Sequence, residues 1–182
     1  MEDLPWRNTT HAWGRLSRRL HWLLAAGLIA MLIMGLWMVR LDYYDPLYHQ
    51  LPRWHRTLGV ALAPFLLLRL GLHLAWPRPA LPGRAWERRL AVGVHWLLVI
   101  LPLGLVASGY LLSTAGGHPL ELAWGWSLPG PDLGIERLED RAGLVHQSLA
   151  WSLIGLLGLH LAGAFKHQFF DHRSLFDRIG WR

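Results

Sequence analysis

Four apolar stretches, each about as long as a lipid bilayer is thick, constrain this 182-residue chain more than any other feature. A helix needs about 20 predominantly apolar residues to cross the hydrocarbon core of a membrane. The stretches that meet this requirement are residues 21–39, 58–76, 90–112 and 144–165. The sequence therefore predicts an all-α integral membrane protein, a four-helix bundle that forms a single transmembrane domain over residues 1–182.

Composition supports a membrane location. Hydrophobic residues make up 53% of the chain and charged residues 16%, against about a quarter charged in soluble domains. The chain has no cysteine, which excludes disulfides, iron–sulfur clusters, thiolate zinc sites and covalent haem attachment through a CxxCH motif. A net charge of +6 is compatible with nucleic-acid binding, but the basic residues cluster beside the apolar stretches as membrane topology requires. We therefore expect lipid, and not nucleic acid, as a partner.

Basic residues are distributed unequally between the two sides of the predicted bundle. The N-terminal segment, the second connection and the tail hold twelve of them: Arg7, Arg15, Arg18, Arg19, Arg78, Arg84, Arg88, Arg89, Lys166, Arg173, Arg178 and Arg182. The other side holds five, against seven acidic residues: Arg40, Arg53, Arg56, Arg137 and Arg141. Because loops rich in Lys and Arg stay in the cytoplasm, we expect both termini on the cytoplasmic side.

Two histidines of the fourth stretch define two depths in the membrane. His146 and His160 are fourteen residues apart, which places them on one face of a helix and about 21 Å apart along its axis. His55 lies at the start of the second stretch, level with His146, and His21 begins the first stretch, nearest in depth to His160. Polar side chains at membrane depth face the bundle interior and mark function.

Two histidines at one depth suit haem iron, which takes an imidazole on each axial side. The pairs His55 with His146 and His21 with His160 therefore predict two b-type haems for electron transfer across the membrane. A single intramembrane histidine is more often part of an interhelical hydrogen bond, but four in two matched layers favour a cofactor. Zinc, the competing metal, prefers about four clustered ligands, and the four stretches contain no carboxylate.

Small and basic residues extend this predicted site. Gly59 lies one helical turn beyond His55, and Gly35 and Gly109 also occupy haem-facing surfaces. A macrocycle needs such small residues to approach a helix backbone, although simple helix packing is the alternative. Arg69 lies inside the second stretch on the haem-facing side. A haem propionate or a quinone-site partner would balance its charge, and snorkelling to the interface is the alternative.

A quinone site is predicted on the cytoplasmic side. His95 and His167, with Arg69 and Trp22, are placed to surround a quinone headgroup. The quinone carbonyls need hydrogen-bond donors, and reduction needs a proton source. A supporting or interfacial role is the alternative for these histidines. His73 is assigned no role, because its level already has two histidine ligands.

The joint pattern resembles that of the bacterial di-haem cytochrome b561 family. The segments that carry the resemblance are Arg15-Leu-Ser-Arg-Arg-Leu-His21-Trp22, His55-Arg-Thr-Leu-Gly59 running on to Arg69, Trp76-Pro77, His95, and the series His146, His160 and His167. The resemblance covers the chain from about Arg15 to the tail, and it depends on the joint spacing because no single short motif would suffice. His73 departs from the pattern, in a position where a close relative has arginine.

This resemblance implies a b-type cytochrome in the bacterial inner membrane that passes electrons between a periplasmic donor and the quinone pool. It implies His55 and His146 as ligands of the periplasmic haem iron, and His21 and His160 as ligands of the cytoplasmic haem iron. Some members of the family resemble superoxide:ubiquinone oxidoreductases. The resemblance therefore implies ubiquinone as the acceptor, and superoxide or a redox protein as the donor.

Other functions remain open at the level of sequence. Arg53, Arg56 and Arg141 flank the periplasmic ligands, which suits a local funnel for superoxide. An electron-carrier subunit docked to a dehydrogenase or hydrogenase would have the same ligands, with the connection at 113–143 as its docking surface. That connection is long enough to hold a short amphipathic piece over one mouth of the bundle. A non-redox, metal-binding membrane protein is the alternative of another class.

Overall fold

The computed structural model describes residues 5–172 and 179–180. Its framework is four helices: α1 (Arg15–Met38), α2 (Gln50–Ala75), α3 (Ala85–Thr114) and α4 (Leu138–Phe165). All four are long and apolar enough to cross a bilayer, which confirms the prediction of an all-helical protein with four spans. Each helix begins five to eight residues before the predicted stretch, because hydrophobicity marks only the part of a helix that suits lipid.

Apolar side chains divide between a small core and a large outer surface. Leu20 and Leu24 of α1 pack with Leu66 of α2 in the buried core. Large apolar side chains such as Ile33 and Leu67 remain 60% and 59% exposed. Lipid tails solvate such a surface as well as a protein interior does, so the outer face fits a membrane-embedded bundle.

The helices pack in an uneven order. α3 packs most extensively on α4, α1 packs on α2, and α2 packs on α3. In the described part of the chain, α4 makes at most slight backbone contact with α1 and α2. Contacts between α4 and the α1–α2 pair therefore depend on side chains that reach across the bundle interior.

The connection between α3 and α4 folds into a small hairpin that docks on α2. Strand β1 (Leu120–Glu121) pairs antiparallel with strand β2 (Ser127–Leu128). The carbonyl oxygen of Leu122 accepts a hydrogen bond from Arg53 Nε at 3.1 Å, and the amide of Ala123 donates to Thr57 Oγ at 2.8 Å. The connection thus lies over one mouth of the bundle as a hairpin, and we call this the hairpin end.

The opposite end of the bundle, which we call the terminal end, gathers the beginning of α1 and residues near the end of the chain. Arg18 Nη1 donates to the carbonyl oxygen of Gly180 at 3.1 Å, and Trp22 Nε1 donates to that of Ile179 at 2.8 Å. Beyond α4 the chain continues into a π-helical turn, Lys166–Phe170. Arg173, Arg178 and Arg182, which contribute to the predicted topology, lie outside the described residues.

Candidate functional site

His55 on α2 and His146 on α4 meet near the hairpin end, and we call this pair the hairpin layer. Their ring centroids lie 6.3 Å apart, and the ring planes are inclined at 74°. Metal–imidazole bonds are about 2 Å long, so two rings with a metal ion between them have centroids roughly 6 Å apart. The separation of this pair therefore fits two axial ligands of one iron.

The ring of His146 is oriented by α3. Its Nδ1 lies 3.0 Å from the carbonyl oxygen of Leu105 and 3.1 Å from Ser108 Oγ. A carbonyl oxygen only accepts hydrogen bonds, so Nδ1 carries the ring proton and Nε2 keeps its lone pair. Metal-bound histidines commonly donate their second N–H to a backbone carbonyl in this way. His146 is thus held in the tautomer that an iron ligand needs.

Two glycines lie against the rings of the hairpin layer. A β-carbon at Gly35 on α1 would lie 3.4 Å from His55 Cε1, and one at Gly109 on α3 would lie 3.1 Å from His146 Cε1. A side chain at Gly109 would therefore crowd the His146 ring, whereas a β-carbon at Gly35 would make ordinary van der Waals contact with the His55 ring. His55 Nδ1 is buried and has no hydrogen-bond partner among the described residues, a cost that a bound group would relieve.

His21 on α1 and His160 on α4 meet near the terminal end. Their ring centroids lie 6.4 Å apart, a separation that also fits two axial ligands of one metal. His95 on α3 lies closer still, with its ring centroid 5.5 Å from that of His160. Three imidazoles therefore meet at this depth, and we call them the terminal layer. Because α4 is continuous between His146 and His160, the two layers are about 21 Å apart along its axis.

Arg69 on α2 extends towards the terminal layer. Its Nη1 lies 3.4 Å from the carbonyl oxygen of Ser17, and its guanidinium lies 5.9 Å from the ring centroid of Trp13. Among the described residues no carboxylate pairs with Arg69. A half-buried guanidinium without a counter-charge is costly, so this position suits an anionic or strongly accepting group.

His73 lies one helical turn beyond Arg69 and is buried. Its ring meets the edge of Trp96, with 4.4 Å between ring centroids, and its Nε2 has no hydrogen-bond partner in the part of the chain that the structure describes. The guanidinium carbon of Arg78 lies 4.9 Å from the ring centroid of Trp96, and Arg78 Nη2 donates a hydrogen bond to the carbonyl oxygen of His73 at 3.2 Å. Trp96 therefore separates His73 from solvent, and the sequence pattern did not indicate this contact.

His167 lies just beyond α4 in the π-helical turn. Its Nδ1 lies 2.6 Å from Asp171 Oδ2, and Lys166 Nζ lies 2.9 Å from the same oxygen. The hydrogen bond from Lys166, and next that from His167, hold the pKa of the Asp171 carboxyl below its ordinary value. Asp171 is not among the predicted site residues, although the spacing of four residues between it and His167 is a usable signal on a helix.

Trp22 and Gly59 are two further predicted site residues, the first on α1 and the second on α2. The Trp22 ring meets the edge of the His21 ring, with 5.4 Å between centroids. Its indole N–H donates to the carbonyl oxygen of Ile179, so this donor already has a backbone partner. A β-carbon at Gly59 would lie 3.4 Å from Met31 Cε. Gly59 therefore faces α1, and a β-carbon there would make ordinary van der Waals contact with Met31.

The residues present fit haem better than a bare metal ion. Both histidine pairs bridge α4 to helices with which it makes little backbone contact, and both have the separation of two axial ligands. In the described ranges, no group of three or more His, Cys, Asp or Glu side chains is placed to hold a metal ion. A zinc site needs such a group. A haem brings four nitrogen ligands of its own, so the protein needs to contribute only two ligands.

Comparison with known proteins agrees with this geometry. The sequence model of the prokaryotic cytochrome b561 family matches residues 12–181. The protein named cytochrome b561 homolog 2 of Escherichia coli (strain K12) is 35% identical over 178 residues, which cover 97% of this chain and 95% of that protein. The matched range thus spans all four helices and the positions of both histidine layers.

Proposed function

The chain belongs to the prokaryotic cytochrome b561 family, and from this premise we propose that it carries two b-type haems and passes electrons across the bacterial inner membrane to quinone. The family makes the chain a multi-pass bacterial membrane protein that binds haem b and takes part in electron transfer. The number of haems, their ligands, the donor and the acceptor are our proposal.

The observation that carries the proposal is the presence of two histidine pairs with the same separation at two depths of one helix. His55 with His146 would hold one iron, and His21 with His160 would hold the other. An iron with two histidine ligands exchanges electrons and does not readily bind a substrate. Each haem, when bound, supplies one redox-active iron. The protein supplies the ligands, their orientation and a path between the two faces of the membrane.

Charge supports an orientation with both termini in the cytoplasm. Twelve basic residues lie on the terminal side and five on the hairpin side, and loops rich in Lys and Arg stay in the cytoplasm. Three of the twelve fall outside the described residues, and the remaining nine still outnumber the five. The hairpin layer would then face the periplasm and the terminal layer the cytoplasm.

Ubiquinone is the proposed acceptor, at the terminal end. Arg69 and His95 would surround the headgroup with His167 and the ring of Trp22. Arg69 has no acidic partner among the described residues, and the imidazoles of His95 and His167 can donate or accept a proton. These properties match the needs of a quinone, whose reduction takes up two electrons and two protons.

Superoxide is the donor that the hairpin end favours. A cleft of about 380 Å³ at the hairpin end is lined by Met38, Val39, Tyr48, His49, Pro52 and Arg56. Arg56 brings a positive charge to this cleft, and its buried Nε has no hydrogen-bond partner among the described residues. In the proposed reaction two superoxide anions each lose one electron and leave as dioxygen. One quinone takes up those electrons with two protons and becomes quinol.

Docking to a periplasmic redox protein is the second candidate. Trp124 and Trp126 of the hairpin are 77% and 76% exposed, and Trp124 packs edge-on against Trp54, next to His55. Aromatic side chains with this exposure are typical of protein interfaces. A partner that co-purifies with the protein at a fixed ratio would favour this candidate over superoxide.

Haem content and a donor test decide the proposal. The pyridine haemochrome assay on purified protein should give two haems b per chain, and a value of zero would overturn it. Stopped-flow mixing with superoxide should then reduce the haems faster than superoxide dismutates by itself. Haem reduction at or below the dismutation rate would exclude superoxide as the donor and leave the docked redox protein as the candidate.

A further inference from the structure

Four titratable side chains form a connected network at the terminal end. His167 Nδ1 lies 2.6 Å from Asp171 Oδ2, and Lys166 Nζ lies 2.9 Å from the same oxygen. Lys166 Nζ also lies 2.7 Å from Glu87 Oε1, in the first turn of α3. The network therefore ties the segment after α4 to the beginning of α3.

The α3 side of this network has little freedom to move. Glu87 Oε2 accepts a hydrogen bond from the backbone N–H of Arg84 at 2.6 Å. Gly83 has φ +98°, and a β-carbon there would lie 2.5 Å from Glu87 Oε2 and 3.0 Å from His167 Cε1. Glycine is the residue that adopts this conformation without strain. The loop before α3 thus closes against the His167 ring and defines its position.

The π-helical turn places Asp171 next to His167. The amide of Asp171 donates to the carbonyl oxygen of Lys166 at 3.2 Å, which is the five-residue spacing of a π-helix. Single π turns occur frequently at functional sites. The two side chains that contact the Asp171 carboxylate belong to Lys166 and His167, the first two residues of this turn. Asp171 is therefore held by its backbone as well as by its carboxylate.

The contact between His167 and Asp171 determines which ring nitrogen can exchange a proton. A carboxylate accepts hydrogen bonds and donates none, so Nδ1 carries a proton and Nε2 is the atom left for chemistry. His167 lies seven residues beyond His160, on nearly the same side of the helix and about 10 Å further along it. Its side chain is 13% exposed. The ring is therefore mostly enclosed and still within reach of water.

We propose that Asp171 is a positioning residue for His167, which it fixes with Nδ1 protonated so that Nε2 delivers protons to the quinone at the terminal end. This inference rests on the proposed function, because it assumes that quinone is reduced near the terminal layer. Asp171 touches neither the quinone nor the electron path and acts through His167 alone.

Reduction of one quinone to quinol takes two electrons and two protons. The quinone receives two electrons, one at a time, by way of the His160 side of the terminal layer. At each transfer the Nε2–H bond of doubly protonated His167 breaks, and an O–H bond forms at a quinone carbonyl oxygen. The ring is then neutral, with its Nδ1–H still donating a hydrogen bond to the Asp171 carboxylate, and a proton from the aqueous phase, relayed by water, forms the Nε2–H bond again. Two cycles convert one quinone to one quinol.

A purely structural tether is the competing explanation for the same contacts. In that case Asp171 matters only because it holds Lys166, and through Lys166 the start of α3. Glu87→Gln separates the two explanations, because it weakens the Lys166–Glu87 ion pair and leaves the His167–Asp171 contact in place. Asp140→Asn is a matched control, because Asp140 forms an exposed ion pair with Arg137 at the opposite end, at 2.9 Å.

The test uses the full-length protein in detergent with both haems reduced chemically and then mixed with a short-chain ubiquinone. This reaction depends on no natural donor, and haem reoxidation gives the maximal rate and the half-saturating quinone concentration. Asp171→Asn should lower the maximal rate at least tenfold, with the half-saturating concentration within twofold of wild type. Asp171→Glu should restore most of the rate.

A second readout does not depend on turnover. Infrared difference spectra of protein labelled with ¹⁵N-histidine should show one neutral tautomer of His167 in wild type and a mixture in Asp171→Asn. If Asp171→Asn keeps the wild-type tautomer, or if Glu87→Gln reproduces its loss of rate, the proposal is overturned and the tether explanation holds. Wild-type protein with two haems that reduces no quinone would instead overturn the proposed function, and this inference with it.

Discussion

The hairpin layer and the terminal layer have the same histidine separation and different surroundings. In the hairpin layer the rings are fixed from several sides, since His146 donates to Leu105 and glycines lie against both rings. In the terminal layer a third imidazole, His95, and the guanidinium of Arg69 share the space with the pair. Under the proposed function, the hairpin layer holds a cofactor in one geometry. The terminal layer adds groups that can handle protons and charge.

Under the proposed function, this difference suits an electron path that ends at quinone. Electron transfer alone needs rigid ligands and little movement of charge, as the hairpin layer provides. Quinone reduction couples electrons to protons, and imidazoles together with a cationic side chain serve that step. Under the proposed function, the two layers share a pair of histidine ligands and differ in the groups around that pair.

The largest expected effect comes from removing a ligand of the hairpin layer. Among the described residues, His146 is the histidine whose ring lies against that of His55, so His146→Ala removes the second imidazole of the hairpin layer. We expect the haem content to fall from two to one per chain in the pyridine haemochrome assay, with the spectrum of the remaining haem unchanged. Loss of the terminal-layer spectrum would show that the layers are assigned in the wrong order.

The equivalent change in the terminal layer should be milder. In His21→Ala, His95 remains with its ring centroid 5.5 Å from that of His160, so a second imidazole is still available to the iron. We therefore expect partial haem retention with a changed absorption spectrum, between one and two haems per chain. The double variant His21→Ala/His95→Ala should retain only one. If His21→Ala alone already loses the whole haem, His95 is not an alternative ligand.

Much of this architecture follows from local rules and was predictable. The helix count comes from hydrophobicity and length, and the depth of His146 and His160 comes from helical periodicity. These rules depend on neighbouring residues, so one sequence is enough to apply them. The proximity of His55 to His146 needed one further assumption, that helices of equal length span the same bilayer.

The contacts that orient the rings were not predictable, because they join residues far apart in sequence. Every residue has a carbonyl group, and only the packing of α3 on α4 selects that of Leu105 for His146. The hydrogen bond from Trp22 to Ile179 likewise depends on where the tail returns. The docking of the 113–143 connection as a hairpin on Thr57 follows from no periodic pattern. Hydrophobicity gives no information on any of these contacts.

A glycine contact provides a sharper test of the rigidity of the hairpin layer. Gly109→Ala places a methyl group 3.1 Å from His146 Cε1 and 3.3 Å from its Nδ1. The ring cannot move away from this methyl group without losing its hydrogen bond to the carbonyl oxygen of Leu105. We expect a shifted spectrum and faster loss of the hairpin-layer haem. Gly104→Ala is the matched control, because its methyl group would also meet a neighbour at 3.1 Å, the flexible Leu149 Cδ1. Equal effects of the two variants would show that the ring of His146 is not confined.

The docking of the hairpin on α2 can be weakened without substituting a histidine of the hairpin layer. Thr57→Val removes the acceptor for the buried amide of Ala123, and an unpaired buried donor costs about 1–3 kcal/mol. Hydrogen exchange at residues 122–126 should accelerate by about tenfold or more, while exchange in the terminal-end network of Lys166 and Asp171 stays as in wild type. Ser152→Ala, which loses a comparable bond within its own helix, should change neither. Unchanged exchange in Thr57→Val would show that the hairpin is held chiefly by Arg53.

The smallest expected effect concerns the partners of the His146 ring. Ser108→Ala removes one contact to Nδ1 and leaves the carbonyl of Leu105 as the acceptor. A single neutral hydrogen bond contributes about 1 kcal/mol, which corresponds to roughly 40 mV for one electron. Because a hydrogen-bonded imidazole is the more basic ligand and favours ferric iron, its partial loss should raise the midpoint potential of the hairpin-layer haem by at most that amount. The terminal-layer haem should keep its potential in the same redox titration. A larger rise would mean that Ser108, and not the backbone of Leu105, is the main partner that fixes the ring.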